Sequence, residues 1–210
     1  LGEWAGHAPI LEEDIALANI ALDLVGQSRA VLTHAGVVDG QGHDEDQIAF
    51  LREERDYRNP TLVELPRGDF AFTVLRNAMA ATFFKLLWTR LVQSTDAELA
   101  AIAGKAVKEA RYHQQHSADW VVRLGDGTDE SRRRMTDAAR SLWPYVAELF
   151  DDDEIDAAAA ASGLGPRWSE LRTDWEAEMT AILDEAGLQA PKTTAFVSTG
   201  KRGVHRDRKS

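Results

Sequence analysis

Glu109, His113 and His116 stand four and then three residues apart in the run KEARYHQQHSADW. On an α-helix that spacing turns a carboxylate and two imidazoles to one face. Imidazole and carboxylate together suit iron, manganese or zinc. Helix bundles that hold dinuclear carboxylate sites are built from such groups, with Glu-x-x-His as their recurring motif. Here the interval between carboxylate and first imidazole is one residue longer, Glu-x-x-x-His. The competing reading is a buried histidine hydrogen-bonded to a carboxylate, with His116 nearer the surface.

A carboxylate-bridged dinuclear site takes about six protein ligands from four helices, so the remaining donors must come from elsewhere in the chain. Asn19, Asp23 and Gln27 follow one another at four-residue steps. Asp23 is a candidate ligand, against the alternative of a solvated or interface-facing stripe. Gly26 stands where a Glu-x-x-His pattern starting at Asp23 would need its imidazole. The segment from Asp69 to Gln93 has no carboxylate inside its apolar length; its polar stripe is Asn77, Lys85 and Thr89. Lys85 either snorkels to the surface or points inward and pairs with Glu109 or Asp23. An ammonium in place of a metal cation would keep buried carboxylates neutralised. Further on, Glu170, Asp174, Glu176 and Glu178 come without a histidine. The chain thus offers one half-site and no second half, which points away from a working metal centre.

The elements that must carry these residues read as helices almost throughout. From Ile10 to about His34, Leu11, Ile15, Ala18, Leu22, Val25 and Leu32 alternate four- and three-residue steps, with Arg29 the one break. That is the pattern of a bundle seam. Leu17, Ile20, Leu24 and Val31 add a second apolar face, which predicts a central helix, ended by Gly36 and DGQGHDED. A short helix is expected from Asp44 to Arg58, stopped at Asn59-Pro60. Asp69 is a candidate N-cap for a helix to about Gln93 that is apolar nearly all round. Thr95-Asp-Ala-Glu98 reads as a capping box with Thr95 at the N-cap. The helix after it runs to Leu124, stops at Gly125, and has Leu99, Ala103, Ala106, Ala110, His113, Ser117, Trp120 and Leu124 along its seam. The next begins near Thr128, and Pro144 should kink or end it. DDDEIDAAAAASGLGP reads as a connecting loop with a short helical turn. A last helix spans about Arg167 to Glu185. No alternating strand pattern of useful length appears. The expectation is all-α: one domain over residues 1–190, a bundle of long antiparallel helices with extra short ones, then an extended or disordered tail over 191–210.

Composition limits the function classes. The 210 residues are 44% hydrophobic and carry a net charge of -11, which argues against broad contact with nucleic acid or an anionic membrane. There is no cysteine, so disulfides, thiolate metal sites and Fe–S ligation are out, and a reducing cytoplasm is the expected location. No run approaches the roughly 18 consecutive apolar residues of a spanning helix. The charge alternation of EERDYRN suits surface ion pairs. The basic end, with Lys201, Arg202, Arg206, Arg208 and Lys209, suits either a solvated terminus or contact with an anionic ligand such as a coenzyme phosphate. No Ser/His/Asp signature, phosphate loop or dinucleotide fingerprint is present.

Taken in order, EWAGHAPILEEDIALANIALDLVGQSR, EERDYRNPTLVELPRGDF and VKEARYHQQHSADWVVRLGDGTDESRRRM…LWPYVAELF resemble the phenylacetate-CoA oxygenase subunit family, and within it the non-catalytic branch. The likeness runs from about Glu3 to His205. It implies a ferritin-like fold. It also implies membership of a multicomponent monooxygenase that epoxidises the ring of phenylacetyl-CoA with O2 and electrons from a reductase subunit. A sister subunit of the same fold would carry the di-iron site and bind the thioester. This chain would hold no cofactor and no catalytic residue; it would pair with the sister and support it. Asp23, Glu109, His113 and His116 are then expected as a vestigial site, with Lys85 a possible charge replacing the metal. The segment GKRGVH, from Gly200, resembles one that leads into a further helix in the family, which suggests missing ends. A stand-alone di-iron or di-manganese oxidase, and a helical module that binds anions through its basic tail, are the alternatives.

Overall fold

In the computed structural model, residues 1–53 and 56–192 are described. Among them the regular structure is helical: α1 (Leu11–Asp39), α2 (Glu45–Phe50), α3 (Thr61–Glu64), α4 (Phe70–Leu91), α5 (Ala97–Gly125), α6 (Asp129–Leu142), α7 (Glu154–Ser162) and α8 (Arg172–Glu185), with short 3-10 turns between. The expected all-α bundle is what forms. The tail of 193–210, including its basic residues, lies outside the described residues, as do Glu54 and Arg55 of the EERDYRN stretch.

The caps show how local chemistry sets the boundaries. Asp69 starts α4 as expected, accepting a hydrogen bond from the Phe72 N–H at 2.8 Å. α5 starts one residue later than its capping-box pattern predicts. Asp96, not Thr95, is the N-cap, taking the Leu99 N–H at 2.9 Å. Thr95 instead ties back to the end of α7, donating from its N–H to the Gly163 carbonyl at 3.0 Å and from its hydroxyl to the Ser162 carbonyl. The acidic, alanine-rich stretch expected as a connecting loop with a short helical turn is a nine-residue helix, because Asp153 caps it and Gly163 closes it at φ 72°. The helix expected from Asp44 ends early, at Phe50. Pro144 ends α6 in a 3-10 turn, as its missing N–H requires. Gly36 does not end α1, which runs on to Gly40. A side chain at Gly36 would meet the His43 carbonyl oxygen at 2.3 Å, so this glycine serves close packing of the following loop.

The core forms around α4, not α1. Leu75, Ala78, Met79 and Phe83 of α4 are buried against Val121 of α5, Met135 and Leu142 of α6, and Trp175, Met179 and Leu183 of α8. α1 packs at the edge, against α5, and its two apolar faces fare differently. Leu17 and Ile20 are buried, whereas Leu11, Ile15, Leu22 and Val25 are 69%, 55%, 67% and 64% exposed. The seam that sequence spacing marks as a bundle contact therefore faces out. The reason lies on the opposite face. Glu13, Asp23, Gln27 and His34 share the side of Leu17 and Ile20, and each finds a polar partner on or at the start of α5. By length and mean hydropathy, α1 and α4 are each apolar enough to cross a membrane, and α4 is the more deeply buried of the two inside the fold.

Candidate functional site

The candidate residues lie at the contact of α1 with α5. Read along α1, the partners on α5 come in reverse order, so the helices run antiparallel. Glu13 meets His116, with the ring Nε2 3.0 Å from Oε2. Asp23 Oδ2 lies 2.9 Å from His113 Nε2. Gln27 donates from Nε2 to Glu109 Oε2 at 2.8 Å. His34 Nε2 and Asp96 Oδ2 are 2.8 Å apart. His113 and Glu13 are buried, and His116 is nearly so. The structure thus places Asp23, Glu109, His113 and His116 on one interface, but resolves them into separate pairs, each closed by a group from the facing helix.

Lys85 points inward from α4. It pairs with Glu178 of α8, and not with Glu109 or Asp23. Gln114 of α5 completes this second network, donating to Glu178 at 2.5 Å and to the Thr82 hydroxyl at 3.1 Å. The partner of Lys85 comes from α8, a helix whose carboxylates sequence spacing alone does not single out.

Glu13, His34 and Gln114 are absent from the sequence-based candidates, and Glu178 enters there only as one of four carboxylates without a histidine. The first two have a readable signal. Glu13, Ile20, Gln27 and His34 repeat at seven-residue steps, which marks one stripe of α1. That stripe is the inner one.

A dinuclear centre asks for carboxylates and imidazoles converging on a common point. Here Nε2 of both His113 and His116 faces a single carboxylate, and Glu109 is held by an amide. Among the described residues no three His, Asp or Glu side chains group as a metal would need. The donor set as arranged does not fit the metal pair, and no chemical step is derived through one. What the arrangement does is mechanical: charged and polar pairs fix the register of α1 on α5. The pairing lowers the cost of burying these groups, although Glu13 Oε2 and His116 Nδ1 stay buried without a hydrogen-bond partner.

Asp96 gives this a pH signature. The Leu99 N–H, and after it His34, hold its carboxyl below the usual range. A depressed carboxyl contributes its stabilisation in full above the unfolded value near 3.9 and loses it as pH falls through the lower folded value. A carbon-detected NMR titration should place the Asp96 midpoint below about 3.9. In His34→Ala the midpoint should rise part of the way back, leaving the share owed to the cap. A midpoint unchanged by that substitution would remove His34 from the account.

Comparison with known proteins bears on the whole chain. A family model described as "Phenylacetic acid catabolic protein" matches residues 1–210. The C subunit of the 1,2-phenylacetyl-CoA epoxidase of Escherichia coli (strain K12) is 50% identical over 205 residues, which is 98% of this chain and 82% of that protein.

Proposed function

Since the chain belongs to the phenylacetic acid catabolic protein family, we propose that it is the accessory subunit of a multicomponent oxygenase that epoxidises phenylacetyl-CoA. Half of its residues are identical to those of one component of such an epoxidase, over nearly its entire length. A subunit of a multi-subunit enzyme has partner subunits. We assign as the direct partner a catalytic sister subunit of the same fold that carries the di-iron centre, with a reductase supplying electrons, all in the cytoplasm. This chain holds no cofactor of its own. The observation that supports this division of labour is the pairing at α1 and α5. The residues that resemble metal ligands are each paired across the two helices, and what they fix is the register of α1 on α5.

In this role the chain acts by mass action. A partner that binds only the folded form stabilises it by about 2.7 kcal/mol when present at 100 times its dissociation constant, and the same linkage stabilises the partner. Asp23 and His113 hold the middle of α1, while Glu13 and His116 hold its first turns. Lys85, Glu178 and Gln114 tie α4, α5 and α8 together on the far side. None of these groups is asked to touch substrate.

The test is metal content and turnover together. Chain purified alone from iron-replete cells should hold well under one metal per chain and should not oxidise phenylacetyl-CoA. Mixed with the sister subunit and reductase, it should raise turnover and lengthen the sister's thermal half-life. Two metals per chain, with oxidase activity in the isolated protein, would establish the stand-alone oxidase instead.

A further inference from the structure

We draw no further inference here: the strongest candidate, the cleft of about 790 Å³ between α1 and α5, has Arg29 and Lys105 together with Glu98 and Glu109 on its walls, so its charge selects no ligand, and nothing in the structure shows what covers it.

Discussion

Trp175→Ala should lower the stability of the folded chain by about 3–5 kcal/mol. At the ~2–4 °C per kcal/mol of a domain this size, the melting temperature should fall by roughly 6–20 °C. Trp175 is fully buried and joins α8 to α4 in two ways. Its indole N–H donates to the Met79 carbonyl at 2.9 Å. Its ring packs against Phe150 and Trp143, with centroids 5.5 and 6.0 Å away. Phe150 in turn meets Phe83 of α4, which packs on Trp168 just before α8. Removing the indole opens a cavity at the centre of this cluster, and rigid helices on several sides limit its collapse. Trp175→Phe keeps a ring in place but gives up the hydrogen bond, so its cost should be smaller, about 1–3 kcal/mol. Thermal denaturation of the three proteins checks the order. A melting temperature for Trp175→Ala within about 2 °C of wild type, where a 3–5 kcal/mol loss is expected, would mean that α8 does not seat on α4 as described.

The second large effect is in hydrogen exchange. Amides in the middle of α1 should exchange at least about 100-fold faster than those in the middle of α4, a difference of about 2.8 kcal/mol in opening free energy at 1.4 kcal/mol per tenfold. α1 is the longer helix, 29 residues against 22, yet only five of its residues are buried, and just two of these, Leu17 and Ile20, are large and aliphatic. α4 buries ten. Opening α1 therefore exposes little apolar surface and leaves the α4–α6–α8 core intact, whereas α4 exchanges only through global unfolding. Adding the sister subunit at 100 times its dissociation constant should raise the protection of α4 by about 2.7 kcal/mol, because global unfolding releases the partner. If α1 and α4 exchange at the same rate in the isolated chain, α1 belongs to the cooperative core.

How far sequence carries differs between fold and site. Long helices, their order and most of their ends are legible, because 3.6-residue periodicity, Asp69 as a cap and Pro144 as a stop are local signals. The direction in which α1 faces is not. It has two apolar stripes of similar strength, and the choice between them is made by Glu13, Asp23, Gln27 and His34 finding partners some 60 to 100 residues away in the chain. Such pairing is invisible to any window along one helix. Thr95 fails as a cap for the same reason: its hydroxyl and N–H are claimed by the end of α7. At the site, periodicity alone puts Glu109, His113 and His116 on one face of α5. That each member is closed by a separate residue of α1 follows only from the antiparallel contact. Lys85 is legible as a lone cation on an apolar helix, with its direction open between surface and interior; its partner on α8 is not.

The bare outer side of α1 also bears on how many copies of the chain a cell can keep. A single folded copy, perfectly made, still shows water the kind of surface that chaperones and proteases read as damage, and the helix expected to open first is the one that bears it. Marginal differences in opening free energy change steady-state abundance several-fold. An unmatched copy is then cleared while an assembled one persists, so the amount of this chain is expected to track the amount of its partner without any regulation of its synthesis. The same helix would thus serve as a timer on every copy that stays unassembled.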